Sequence, residues 1–101
     1  MNIYQKNRPV SFKKEEINQI MEVYSKKISI GEWKDYSMTF KNDYAIFSIH
    51  KSFKLGPTFQ IKKNKYQKLY SLIFRNNVVT TSYNLKNLIN YLKKPNLKLV
   101  K

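Results

Sequence analysis

The chain contains no cysteine. That excludes disulfide staples, thiol catalysis and thiolate metal sites. It contains one histidine, His50. A single imidazole with no thiol beside it does not make a metal site, and no serine has a base partner in view. His50 therefore reads as a half-exposed strand residue. Glycine is limited to two residues and proline to three, and with so few breakers there is no low-complexity linker, no internal repeat and no second domain. The 101 residues suffice for one domain that buries a working core without a metal or a disulfide. No apolar run approaches the ~18 residues that a membrane span needs. Met1 to Val10 carries Lys6 and Arg8 with no apolar block behind them, so no signal peptide is read. The expectation is a soluble, cytoplasmic protein with no cofactor and no integral membrane contact.

Negative charge is the next scarcity. The chain has six acidic residues against twenty basic ones, a formal net charge of +14. All six acids, Glu15, Glu16, Glu22, Glu32, Asp35 and Asp43, fall in residues 1–43, where eight basic residues leave a net +2. Residues 44–101 hold twelve basic residues and no acid. A surface with no carboxylate to neutralise it holds a positive field that draws polyanions. A second explanation competes. Eighteen of the twenty basic residues are lysine, as coding bias in an AT-rich genome would produce. That bias raises lysine, but it does not remove Asp and Glu from 58 consecutive positions.

Taken in order, residues 1–10 read as a flexible arm, 11–95 as a single α+β domain and 96–101 as a tail. Ser11 is placed to cap a helix beginning near Phe12. Ile17, Ile20, Met21, Tyr24 and Ile28 form its apolar stripe. Glu15 and Glu16 sit in the first turn and Lys26 and Lys27 in the last, both favourable to the helix dipole. The two adjacent carboxylates diverge on a helix and read as its solvated start. Gly31 supplies a helix C-terminal stop, and Trp33 is expected to pack back under the helix. Tyr36, Met38 and Phe40 alternate with polar residues as a first strand, and Asn42-Asp43 makes a turn. Tyr44 to Lys51 is the second strand and Pro57 begins the third. Lys62-Lys63-Asn64-Lys65 is expected at a hairpin tip. A fourth strand runs from Tyr66 to Arg75, Asn76-Asn77 turns the chain, and Val78 to Thr81 is the fifth strand. Asn84 caps a second helix with Leu85, Leu88, Ile89 and Leu92 on one face, stopped by Pro95. The order α-β-β-β-β-β-α predicts an antiparallel meander with helices on one face.

Tyr24, then Gly31-Glu32-Trp33-Lys34-Asp35-Tyr36, then Ala45-Ile46-Phe47-Ser48-Ile49, resembles an uncharacterised family of small bacterial proteins, mostly alphaproteobacterial. Pro57-Thr58-Phe59-Gln60-Ile61 and Asn84-Leu85-Lys86-Asn87-Leu88-Ile89 are similar to the family's proline-led strand and closing helix. The resemblance spans Phe12 to Leu92, with Lys34 where the family has Arg and Asn84 where it has Asp. It implies a helix, a corner, a strand meander and a C-terminal helix. It implies no activity and no site residues.

Three functions remain open. The first is a single-stranded DNA- or RNA-binding module acting through a lysine-rich sheet face. Its candidate contacts are Lys51, Lys54, Lys62, Lys63, Lys65, Lys68 and Arg75, with Tyr66 and Tyr70 as stacking residues. Tyrosines at strand spacing also serve as core and cross-strand packing. The second is an interaction module whose partner is an acidic protein or another copy of the chain. The third is an enzyme, since Asp43, Gln60 and Lys62 loosely echo a restriction-endonuclease-like metal site. A second carboxylate is missing there, so no catalytic activity and no metal are expected.

Overall fold

A computed structural model of the chain describes residues 9–52, 56–66 and 68–94. The corner after the first helix fixes the path of everything that follows. Helix α1 (Lys14–Ser29) ends at Ile30, and Gly31 takes a φ of 79°, where a side chain would be strained. The Gly31 N–H donates to the Ile28 carbonyl and the Glu32 N–H to the Lys27 carbonyl, at 3.0 and 2.9 Å. These two bonds make a Schellman stop. Two residues on, the Trp33 indole is 2% exposed. It lies 5.9 Å from the Tyr24 ring of α1 and 6.2 Å from Phe59. The corner is pinned by an indole under the helix, as its sequence predicts.

Five strands then form one antiparallel sheet in sequence order. They are β1 (Asp35–Phe40), β2 (Tyr44–His50), β3 (Phe59–Asn64), β4 (Tyr70–Phe74) and β5 (Asn77–Ser82), followed by α2 (Leu85–Lys93). Register sorts the side chains. Phe47 pairs with Met38 on one side and Ile61 on the other, and Ile61 pairs with Leu72. Phe47, Ile61 and Leu72 are fully buried, with Ile20 and Val23 of α1 and Leu88 and Leu92 of α2 in the same cluster. Both helices therefore cover one face. Asn84 caps α2 by accepting from the Lys86 N–H at 2.9 Å. Among the described residues no helix is long and apolar enough to cross a membrane.

Several local expectations are corrected. Helix α1 starts at Lys14, with Lys13 as N-cap, not near Phe12 with Ser11 as cap. Lysine has no acceptor for the cap. Instead the Glu16 carboxylate reaches back to the Lys13 N–H at 2.6 Å, which supplies half of a capping box. Phe12 is thereby left outside the helix, buried against Phe47 edge to face at 6.5 Å. Second, Glu15 is exposed but Glu16 is 8% exposed, so the helix start is not simply solvated. Third, the fourth strand begins at Tyr70 rather than Tyr66, because Lys68 takes a φ of 51° that breaks extended pairing. The hairpin tip shifts accordingly, with Lys62 to Asn64 lying in β3. Fourth, Arg75 and Asn76, both at positive φ, turn the chain one residue earlier than expected, and Asn77 joins β5. The Asn42-Asp43 turn, by contrast, needs no positive φ. Strand β3 starts at Phe59 instead of Pro57. The predicted tail and most of the predicted arm lie outside the described residues. Val10, expected in the arm, donates its N–H to the Lys41 carbonyl at 2.7 Å.

Candidate anion-binding cleft

The strands' far face mixes small polar side chains with a few apolar ones. Ser37, Ser48, Gln60, Ile73 and Val78 lie in one cross-strand row, and Thr39, Ile46, Lys62, Ser71 and Thr81 in the next. Lys62 is the single lysine on that face among the described strand residues. The lysine-rich sheet face expected from the sequence is not formed, because alternation turns Lys63 to the helix side and Lys65 and Lys68 fall in the connecting turn. Some of the lysines gather instead at one end of the sheet, where β3 ends and β4 begins.

There they line a cleft of about 490 Å³. Four lysines face it: Lys13 from the start of α1, Lys63 from β3, and Lys65 and Lys68 from the turn. Tyr70 and Tyr83 supply aromatic wall, and Pro9, Val10 and Asn64 complete the lining with Glu16, the one carboxylate. The turn is held from both sides. The Asn64 N–H and side-chain amide both donate to the Leu69 carbonyl, at 3.0 and 3.2 Å. The Lys65 N–H donates to the Asp43 carbonyl at 3.0 Å.

Glu16 is already engaged. Its Oε1 accepts from Lys63 Nζ at 2.8 Å and from the Lys13 N–H, and its Oε2 accepts from the Tyr70 hydroxyl. Burial alone would raise its pKa. The hydrogen bonds from Lys63, Tyr70 and the Lys13 N–H, with the Lys63 charge, outweigh burial and hold the carboxyl below its usual value. The same pair works the other way on Tyr70. Burial, then the bond to Glu16 and its charge, push the phenol well above its ordinary pKa, so the hydroxyl stays protonated and donates. Lys63 also donates to the Ser11 carbonyl at 3.0 Å. The cleft thus has a neutralised floor and is lined by three further lysines, Lys13, Lys65 and Lys68.

The candidate contacts divide by place. Lys63, Lys65, Lys68 and Tyr70 come together at the cleft. Tyr66 is next to it in the turn, 78% exposed, with Lys65 Nζ 5.2 Å from its ring centre. Lys62 lies on the far face over the Tyr44 ring at 4.7 Å. Lys51 and Arg75 sit at the opposite end of the sheet, Lys51 beyond the His50–Asp35 pair and Arg75 beyond the Phe74–Phe59 pair. Lys54 lies outside the described residues. Tyr70 is on the helix-covered side with its hydroxyl committed to Glu16, and Lys63 is committed to the same carboxylate. Their roles at this site are in its floor. Of the loose endonuclease-like set, Gln60 donates to Ser48 Oγ at 3.2 Å, and Asp43 is exposed in the β1–β2 turn.

Sequence reading missed Lys13, Glu16 and Tyr83. The capping signal of Glu16, three residues after Lys13, was available. The partners of Glu16 across 47 and 54 residues of chain were not.

No curated protein and no solved structure matches the chain. The sequence model of one family matches residues 10–88, which include every described residue of the cleft except Pro9. The chain belongs to that family, described as "Protein of unknown function (DUF2794)".

Proposed function

We propose that the protein is a binding module for single-stranded nucleic acid, acting without catalysis, through the lysine-bearing end of its sheet rather than through the sheet's flat face. One observation carries the reading: three lysines surround a cleft whose single carboxylate is already neutralised by Lys63. A phosphate entering there meets positive potential that Glu16 no longer cancels. Tyr66 and Tyr83, 78% and 76% exposed, offer ring faces to unpaired bases beside those charges. Stacking of that kind tolerates any base. With Lys13, Lys65 and Lys68 meeting phosphates, log affinity should fall with log salt at a slope of about −2.1, a loss of about twenty-fold between about 50 and about 200 mM salt. Fluorescence anisotropy with a labelled oligothymidylate measures this directly. A flat salt response, or no binding at the low-salt end, would remove the reading.

A second reading, self-association, is favoured by a different observation. Residues 76–85 are the longest stretch without a charged residue in the chain, and they contain the edge strand β5. Sheet edges are commonly guarded by lysine or proline, and β5 has neither, while Val78 is 62% exposed. Two β5 edges could pair without like-charge repulsion. Light scattering after size exclusion would then give twice the chain mass, and Val78→Lys would halve it. A single-chain mass at every concentration tested would dismiss this second reading.

A further inference from the structure

We infer that the cleft takes a nucleotide bearing a phosphate monoester, so that the module recognises a phosphorylated strand end in preference to the middle of a strand. The inference rests on the nucleic-acid reading above and adds the species that fills the cleft. Size is the first argument. A volume of about 490 Å³ falls in the range of roughly 300–1,000 Å³ that small-molecule sites occupy. That is room for one nucleotide and its phosphate, not for a run of several.

Charge is the second argument. An internal phosphodiester carries one negative charge, whereas a phosphate monoester carries about −1.5 to −2 near neutral pH. Lys13, Lys65 and Lys68 line a space for one nucleotide, and their flexible stems can bring up to three ammonium groups to it. A single diester would leave most of that charge unmatched. A monoester together with the diester that follows it supplies about as many charges as the three lysines carry. Glu16 does not oppose this, since both of its oxygens accept hydrogen bonds from Lys63, Tyr70 and the Lys13 N–H.

The third argument is the wall. Tyr83 is 76% exposed yet lines the same cleft as Tyr70. Tyr83 follows β5 directly and precedes the Asn84 cap of α2, so its backbone is anchored on both sides. An open ring on a fixed backbone beside cations suits a base attached to the phosphate. Asn64 already spends one of its two amide N–H donors on the Leu69 carbonyl and carries no charge. The recognition of phosphate therefore falls to the lysines.

The test uses the full chain and four probes in one anisotropy series: the same short oligothymidylate with a 5′-phosphate, with a 3′-phosphate, with neither, and free thymidine monophosphate as competitor. One phosphorylated oligonucleotide should bind about tenfold more tightly than the unphosphorylated one, the scale of one or two charge-assisted hydrogen bonds. The double variant Lys65→Gln, Lys68→Gln should bring that ratio to within about twofold, with an unchanged thermal transition, because neither side chain is in the core. If free thymidine monophosphate binds and none of the oligonucleotides does, the cleft chemistry stands and the strand-binding reading falls. Equal affinity for all three oligonucleotides, with no competition by the mononucleotide, overturns the cleft inference and leaves strand binding in place. No binding of any probe overturns both.

Discussion

Phe47→Ala should destabilise the fold by about 3–5 kcal/mol, lowering the urea midpoint by about 2–3 M. The ring is 0% exposed and stands where three elements meet. It stacks on Tyr36 of β1 at 5.0 Å with an interplanar angle of 2°. It meets Tyr24 of α1 and Phe12 edge to face at 6.4 and 6.5 Å. Truncation would open a cavity that Tyr24 and Tyr36 cannot simply fill, since they also hold each other at 5.0 Å. Tyr24 also contacts Trp33 and Tyr36, so the corner would loosen with the core. A domain of this size has only about 5–15 kcal/mol in all, so the variant should stand close to its unfolding threshold at physiological temperature. Phe40→Ala is the matched control. It lies on the same face of the sheet by alternation, one pair further along, opposite Ala45. Phe40 is 45% exposed, and its loss should cost below about 1 kcal/mol. Equal shifts for the two variants would show that the core is not organised around Phe47.

That pair of phenylalanines also marks what the sequence could say. Alternation in Tyr36, Met38 and Phe40 gives the face of β1 but not the depth, and depth depends on where the helices end over the sheet. Elements whose causes are local were legible. Gly31 stops α1 because its own backbone takes the left-handed turn. Asn84 caps α2 through a bond two residues away. Leu85, Leu88, Ile89 and Leu92 are buried as their spacing requires. Some misreadings are local: the positive φ of Lys68 separates Tyr70 from Tyr66, which the sequence pattern joins in one strand. Those at the cleft involve partners distant in the chain. The charge asymmetry of the sequence is real, but folding sets the acid-bearing α1 beside the acid-free strands. Glu16 thereby cancels Lys63, a basic residue that the sequence had set in an acid-free half. The cationic cleft is what remains after that cancellation, and no scan of composition locates it.

Glu16→Gln should lower stability by about 2–4 kcal/mol at neutral pH, although the change is isosteric. The carboxylate serves three donors, and a glutamine offers one acceptor oxygen. Turned toward Lys63, its amide N–H group would face a donor; turned toward Tyr70, it would make that hydroxyl an acceptor, and in both cases Lys63 loses its counter-charge. The Lys63 side chain is 18% exposed, so water can relieve only part of the loss. The pH dependence identifies the residue. The folded-state pKa of Glu16 lies below its ordinary value of 4.5, so between the two values the unfolded chain binds more protons. Its stabilisation is complete above about 4.5 and fades as pH falls through the folded value. The Glu16→Gln protein should lack that acid step. At the other end, the Tyr70 pKa is raised above its ordinary value of 10.0, so the unfolded chain loses its proton first. The contribution is complete below about 10 and declines at higher pH, and Tyr70→Phe should shrink the alkaline limb to the part left by Tyr24, whose pKa burial also raises. Melting temperatures across the pH range, for the three proteins, separate these effects. An acid limb in Glu16→Gln identical to that of the parent would dispose of the assignment. The same substitution should act oppositely on binding. With its counter-charge gone, Lys63 becomes a fourth available cation in the cleft, and oligonucleotide affinity should rise several-fold, about one added phosphate contact, while the fold itself weakens. A general loss of structure would lower both together, so opposite signs in the two measurements are the mark of a carboxylate that holds the cleft in shape at the cost of part of its charge.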